Sequence, residues 1–259
     1  MYNENLRPEK EQILCEDGTY TLYSKEFDEP YHSTKDGALH ESLVKHVIPS
    51  LKRHKDRASL VILDICFGLG YNTLATLYYV KKHQLKMKLH ILSPEFDEAL
   101  IRSLSTFNYP KEFDALAPII QALSQNFYYE DAEFKIEILR GDARKTVPLI
   151  QEKVDIVYQD AFSPTQNPLL WTREFFTEMV KISNPHMTLT TYSTSASVRL
   201  GLYESGFLIF LYRGEMARSS TLASQEMLEE VEYIDMELKK LRNPTAKSLR
   251  DRDYGVSYI

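Results

Sequence analysis

Residues 59–72 read Ser59-Leu60-Val61-Ile62-Leu63-Asp64-Ile65-Cys66-Phe67-Gly68-Leu69-Gly70-Tyr71-Asn72. The apolar run from Ser59 to Ile65 suits a strand buried on both faces, as in a parallel sheet. Two glycines one residue apart follow, in a chain that holds 9 in all. That spacing marks a turn whose backbone a side chain would obstruct. A glycine-rich turn between a first strand and a first helix lets a ligand approach the backbone closely. A dinucleotide fingerprint would place a third glycine three residues after Gly70, but Thr73 stands there. A tight strand-to-helix turn without a ligand would account for Gly68 or Gly70, less readily for both.

Outward from this turn the chain alternates strand and helix. Thr73 to Val80 reads as a helix, with Lys81 and Lys82 where positive charge suits the helix dipole. Leu89–Leu92 reads as a second strand and Glu95–Leu104 as a helix. Phe134–Leu139, Val154–Tyr158, His186–Tyr192, Phe207–Tyr212 and Ser219–Ala223 supply five more strands. Trp171–Ile182 and Ala196–Ser205 supply helices between them. Upstream, residues 1–35 read as short strands or loops. Leu39, Leu43, Val44, Val47 and Leu51 then fall three and four apart, as on a helix. Residues 105–130, with Pro110 and Pro118, break the rhythm as an insertion holding a short helix near Ala115–Gln125. Glu226–Leu241 reads as a charged amphipathic helix, and the tail after Pro244 as loosely held.

Regular alternation of this kind predicts an α/β fold, Rossmann-like, with a mostly parallel seven-stranded sheet and helices on both faces. The expected organisation is an N-terminal segment, 1–58, of strands and a helix packed on the domain. A core over 59–224 and a C-terminal helix and tail over 225–259 follow.

Composition narrows the function. Hydrophobic residues make up 43% and charged residues 26%, ordinary for a globular protein. No run approaches the roughly 18 apolar residues of a membrane span, and the polar N-terminus MYNENLRPEKEQIL lacks a secretion signal's apolar stretch. Two cysteines, Cys15 and Cys66, are too few for a disulfide framework or a cysteine metal site, so a cytoplasmic protein without a metal is expected. The net charge of −6 argues against a broad nucleic-acid coat. It leaves room for local basic patches at Arg53-His54-Lys55, Lys81-Lys82-His83 and Lys239-Lys240-Leu241-Arg242.

Acids at strand ends carry the chemistry. Ligands of open α/β sheets sit outside the carboxyl ends of the strands. Glu95 follows the second strand, 25 residues after Gly70, near the spacing of an acid that accepts both ribose hydroxyl protons. Asp97 and Glu98 compete for that role, or Glu95 is simply an acid at a helix start. Asp142 follows the third strand. Asp160 ends the fourth and opens the loop Asp160-Ala161-Phe162-Ser163-Pro164-Thr165-Gln166-Asn167-Pro168-Leu169-Leu170-Trp171, which two prolines stiffen. Alone, Asp160 reads as well as a turn cap. With the glycine turn, the three acids favour an adenosine-containing ligand.

Four ordered motifs over roughly residues 18–224 resemble the methyltransferase domain of the MnmC family, which modifies tRNA. They are Tyr23–Ser33 with Asp36-Gly37 and Glu41, Phe67-Gly68-Leu69-Gly70-Tyr71-Asn72, the Asp160–Thr172 loop, and Thr191–Gly206 with Ser195 and Arg199. The spacing D-x-x-x-G-x-G from Asp64 to Gly70 is also similar to the first motif of class I S-adenosylmethionine-dependent methyltransferases. The resemblance implies methyl transfer from S-adenosylmethionine to the amine of 5-aminomethyl(-2-thio)uridine at the tRNA wobble position. It implies cofactor contacts at Asp64, Cys66, Phe67, Gly68, Gly70, Asn72, Glu95, Asp142 and Ala143. Asp160 would be catalytic, beside the reacting methyl. Tyr31, His32, Glu41, Phe162, Trp171 and Arg199 would meet the substrate, although the aromatics also read as core and Arg199 as a helix-surface residue. This chain has Cys66 where the family carries glycine, and its basic run is reduced to Arg213 and Arg218 around Glu215 and Met216. The family's fused oxidase has no room in these residues, so a stand-alone methyltransferase with a partner supplying the aminomethyl group is implied. The alternatives are a methyltransferase or aminopropyltransferase acting on a small amine, a nicotinamide oxidoreductase, and a non-catalytic binder of an adenosine cofactor.

Overall fold

The structure, a computed structural model, describes residues 10–214 and 218–256. The N-terminal Met1–Glu9, and Glu215 and Met216 of the reduced basic run, lie outside the described residues.

Three antiparallel strands open the chain: β1 (Lys10–Leu14), β2 (Tyr20–Ser24) and β3 (Glu29–Pro30). A helix follows in three parts. Helix α1 (Ala38–Ser42) passes through a π turn over Leu43–Val47 into α2 (Ile48–Arg53). The backbone N–H of Ile48 donates to the carbonyl of Leu43, five residues back.

The sequence then builds the sheet. In chain order come β4 (Ser59–Ile65), α3 (Tyr71–Lys82), β5 (Lys88–Glu95), α4 (Glu98–Ser103), α5 (Ala117–Asn126), β6 (Tyr128–Glu130), β7 (Phe134–Arg140), α6 (Ala143–Thr146) and β8 (Val154–Gln159). Next are α7 (Arg173–Ile182), β9 (Ser183–Thr191), α8 (Ala196–Glu204), β10 (Leu208–Tyr212), β11 (Ser220–Ser224), β12 (Glu232–Tyr233) and α9 (Met236–Arg242). The sheet order is β12-β10-β11-β9-β8-β4-β5-β7-β6. Strands β7, β5, β4, β8 and β9 are parallel, and β11 runs antiparallel to both β9 and β10. The seven strands expected from the sequence are all present, and the short β6 and β12 extend the two edges.

Helices cover both faces because β4 sends alternate residues each way. Leu60 and Ile62 join α2, α3 and α5 through Leu51, Leu74, Leu77 and Leu123. Leu63 and Ile65 join α7 and α8 through Phe175, Phe176, Met179 and Val198. Strand order reverses between β4 and β8, and a crevice opens there at the strands' carboxyl ends, where α/β sheets bind ligands.

Three expectations need correction. Glu95 is the last residue of β5 rather than the first of a helix, and α4 begins at Glu98. The expected helix over Glu226–Leu241 is confined to Met236–Arg242. Before it, Glu226 and Glu230 pair with Arg53 of α2, which draws those carboxylates to a neighbouring element instead of a helix surface. The described tail after Pro244, to Val256, is docked through Ser248, Arg250 and Asp251. Ser248 donates to Glu204 at 2.6 Å and Arg250 to Glu174 at 2.8 Å. Buried Asp251 takes both terminal nitrogens of Arg144.

Candidate active site

The glycine turn is shaped by close approach. Gly70, at φ +72°, precedes α3, and a Cβ there would lie 2.6 Å from the Phe67 ring. Gly68, at φ +53°, would put a Cβ 3.1 Å from Tyr31. Its N–H instead donates to Glu95 at 2.8 Å. Cys66 holds φ +67° without being glycine, a conformation that costs most L-residues roughly 1 kcal/mol. Burial, then the charges of Glu95 and Asp64, push its thiol well above the usual range, so it stays protonated.

A cavity of about 510 Å³ opens over this turn, within the size range of small-molecule sites. Of the residues nominated from sequence, Tyr31, His32, Glu41, Cys66, Phe67, Gly68, Asn72, Glu95, Asp160 and Phe162 line it together. The first three come from the N-terminal segment and the others from the ends of β4, β5 and β8 and the turn into α3. Glu29 of β3 binds the two pieces, accepting both the backbone N–H and the hydroxyl of Ser163. Phe162 packs edge-on to Tyr31, ring centroids 4.8 Å apart, and stacks on Phe27 at 4.5 Å.

Glu95 accepts the N–H groups of Gly68 and Asp97, each at 2.8 Å. Burial pushes its carboxyl up to about 6 despite these bonds. The competitors are engaged elsewhere. Asp97 caps α4 and pairs with Lys10 at 2.5 Å, and Glu98 lies 3.6 Å from Arg140.

Asp160 accepts Asn72 Nδ2 on Oδ2 at 2.8 Å, and His46 Nε2 stands 3.3 Å from Oδ1. Burial raises its pKa, but the imidazole of His46 close by, then that of His32 and the Asn72 bond, outweigh this. The carboxyl is thus held below its ordinary range. Burial lowers His32, despite Asp160 and Glu41 nearby. Glu41 accepts Ser33 N–H at 2.7 Å and Lys45 at 2.6 Å, and Lys45 also reaches Asp36 at 3.2 Å.

Six nominated residues do not line the cavity. Trp171 is fully buried, its indole N–H donating to the Phe162 carbonyl at 2.7 Å and its ring set edge-on to Tyr192. It braces the loop from behind and is not a substrate wall. Arg199 turns to Thr221 at 2.9 Å, tying α8 to β11, and does not line the cavity. Asp142 is exposed and caps α6 through Arg144 N–H, and Ala143 is buried beneath the neighbouring core. Asp64 is fully buried under the turn, bonded to Thr73 at 2.8 Å and to Asn72 at 3.4 Å. Burial pushes its carboxyl up to about 7. Gly70 shapes the turn without reaching the cavity.

The sequence reading gave no role to His46, Lys45 or Tyr192, and named Glu29 and Asp36 only as members of the first motif. His46 and Lys45 sit in a helix whose apolar spacing drew the reading to its leucines and valines. No local signal announces a contact between residues 46 and 160.

A parallel α/β sheet with this strand order, a glycine turn after its first strand and an acid ending the second defines a class I S-adenosylmethionine-dependent methyltransferase. Residues the cofactor would need are in place: Cys66, Phe67 and Gly68 of the turn line the cavity, and Glu95 faces it. Comparison with known proteins agrees. Residues 109–226 match a family model described as S-adenosyl-L-methionine-dependent methyltransferase. The crystal structure of MnmC2 from Aquifex aeolicus superposes with a TM-score of 0.83 at 33% identity, covering 98% of this chain and 82% of that one. MJ0670 of Methanocaldococcus jannaschii is 32% identical over 209 residues, 80% of this chain and 56% of its own length. The bifunctional MnmC protein of Azoarcus sp., named for tRNA 5-methylaminomethyl-2-thiouridine biosynthesis, is 29% identical over 208 residues. That match covers 75% of this chain and 32% of the relative. The chain thus spans about half the length of the first of these two relatives and about a third of the second. It belongs to the family of the MnmC methyltransferase domain and is an S-adenosylmethionine-dependent methyltransferase. Among the described residues, no helix is long and apolar enough to cross a membrane.

Proposed function

We propose that this chain methylates the primary amine of 5-aminomethyl(-2-thio)uridine at the wobble position of tRNA. The observation that carries the reading is the placement of Asp160, a half-buried carboxylate held below its ordinary pKa, in one cavity with the glycine turn and the Tyr31 and Phe162 rings. When bound, S-adenosylmethionine supplies a sulfonium methyl, to which the amine lone pair bonds as the carbon–sulfur pair returns to sulfur. The backbone of Cys66, Phe67 and Gly68 would run along the cofactor, and Glu95 would accept its ribose hydroxyls. Asn72 bridges this side to Asp160.

An alkylamine ionises near the lysine value of about 10.4, so it arrives as an ammonium. Asp160 draws that cation in, the ammonium gives up one proton to solvent, and the carboxylate aims the freed lone pair and faces the secondary ammonium that forms. A carboxylate held below its usual range suits orientation and charge stabilisation better than proton storage. Most of the remaining catalysis is positioning. Tyr31 and Phe162 offer ring faces and edges to a splayed uracil, the usual way proteins hold single-stranded bases, and His32 and Glu41 flank them. A tRNA substrate implies a cytoplasmic enzyme, with the aminomethyl group made by another enzyme or domain.

Mass spectrometry of tRNA nucleosides tests the reading. Cells lacking this chain are expected to accumulate aminomethyluridine, and the purified protein with S-adenosylmethionine is expected to convert it. Turnover of a free amine without RNA, and none of tRNA, would replace this substrate with a small one.

A further inference from the structure

The oxygens of Asp160 are held from behind by two different elements. Asn72, at the start of α3, donates to Oδ2 at 2.8 Å. His46, fully buried on the π turn, brings Nε2 to 3.3 Å from Oδ1. The far side of that imidazole is fixed in turn, with Nδ1 2.9 Å from Thr190 Oγ1 on β9 and the ring 5.6 Å from that of Tyr158. A carboxylate has about four lone-pair sites. With these two protein partners in place, it cannot turn without losing both.

We infer that His46 is a positioning residue for Asp160, fixing the carboxylate's orientation and charge so that its free lone pairs face the amine. This rests on the role proposed above for Asp160. The chemistry requires such a partner, because a buried carboxyl ordinarily prefers the neutral form, and a neutral acid neither attracts an ammonium nor faces the product cation. The groups facing His46 are Asp160 and Tyr158 from β8, Asp64 from β4, and His32 from the segment after β3. Lys45 adjoins it on the π turn but is paired with Glu41 and Asp36. Asp160 is the acid within ion-pair distance of His46 among the described residues. The π turn is the backbone device that brings His46 here, and such turns are frequent at functional sites.

The test compares His46→Leu, which removes both ring nitrogens, with His46→Gln, which keeps an N–H donor on an amide. Calorimetry with S-adenosylmethionine reports an intact cofactor site in each. Single-turnover methylation of aminomethyluridine tRNA between pH 5 and 9 reads the acid limb. For His46→Leu the rate at pH 7 is expected to fall about tenfold or more, with the acid limb moved up by about one pH unit. His46→Gln is expected to recover most of the rate, with a smaller displacement. Equal losses in both variants with the acid limb unmoved would show that His46 only fills space, and would overturn the inference. If His46→Leu does not fold, Thr190→Val removes the bond behind the ring and is expected to move the limb the same way; an unmoved limb again overturns it. Carbon-13 NMR titration of the Asp160 carboxyl in the cofactor-bound protein, assigned against Asp160→Asn, needs no substrate. A raised titration in His46→Leu supports the inference even if no tRNA is methylated, which would refute only the proposed substrate. An unchanged titration refutes it even where methylation proceeds.

Discussion

Replacing Asp160 with asparagine isolates the charge at the centre of the proposed reaction. The side chain keeps its shape, and its oxygen can still accept Asn72 Nδ2, now 2.8 Å from Oδ2. The amide nitrogen then faces His46, which must switch to the tautomer that accepts at Nε2 and donates to Thr190. The fold is therefore expected to survive, and the loss falls on the amine. A hydrogen bond to a charged group contributes about 1.5–3 kcal/mol. A unit-charge pair near 4 Å at an effective dielectric of 20 gives an upper bound of about 4 kcal/mol. A loss of about 2–4 kcal/mol of transition-state stabilisation is about 30- to 1,000-fold in rate. Single-turnover methylation of aminomethyluridine tRNA measures it, with calorimetry of S-adenosylmethionine run in parallel. A variant that keeps its rate within about threefold, with cofactor binding intact, refutes the role given to this carboxylate.

Cofactor affinity should depend on pH through Glu95. Its folded-state pKa is raised to about 6, and a protonated carboxyl loses acceptor capacity for ribose hydroxyls. Affinity is then expected to weaken about tenfold per unit below pH 6, and Glu95→Gln to flatten the profile in calorimetry. The same raised pKa means that the cofactor-free fold binds a proton the unfolded chain has lost between about pH 4.5 and 6. Glu95 thus costs stability as pH rises through that window, by about 2 kcal/mol, which Glu95→Gln should remove in urea unfolding at pH 7. Asp251→Ala leaves Arg144 without its buried bidentate partner and is expected to cost about 3 kcal/mol. An unchanged urea midpoint would show that the tail is not held there. At Cys66, glycine should be tolerated within about 0.5 kcal/mol, while valine at φ +67° should cost about 1–2 kcal/mol, read as a difference in thermal midpoint.

The sheet was legible because its central strands are apolar runs broken by a single acid each: Leu60–Ile65, with Asp64, and Val154–Tyr158, with Asp155, can be buried on both faces and little else. The turn and the acid proposed to meet the cofactor were legible for a similar reason, since Gly68, Gly70 and Glu95 follow a local spacing set by one strand-turn-helix-strand unit. The substrate side was read only in part. Tyr31, His32 and Phe162 meet across more than 120 residues of sequence, and their resemblance to family motifs, not their periodicity, nominated them. Trp171 shows the limit of that route, for its indole packs inward although its neighbours in the loop line the cavity. The helix expected from Glu226 misled because charge at helical spacing also arises where carboxylates answer a cation elsewhere, as Glu226 and Glu230 answer Arg53. The π turn left no mark on a pattern of leucines and valines at three and four, which an ordinary helix satisfies as well.

That turn has a consequence for how the chain could change. Each residue of an α-helix advances by about 100°. Removing one residue from Leu43–Val47 would let α1 and α2 join as a regular helix with its ordinary bonding restored. The shorter chain should fold at least as readily, and because the wide turn absorbs one extra residue, the flanking helices would keep nearly their present facing while the residues of the turn itself would be re-aimed. Lys45 and His46 could not then keep Glu41 and Asp160 together as neighbours. The wide turn is a local accommodation of one added residue between two stretches of ordinary helix, and a length change there would separate folding from function more cleanly than any single side-chain substitution.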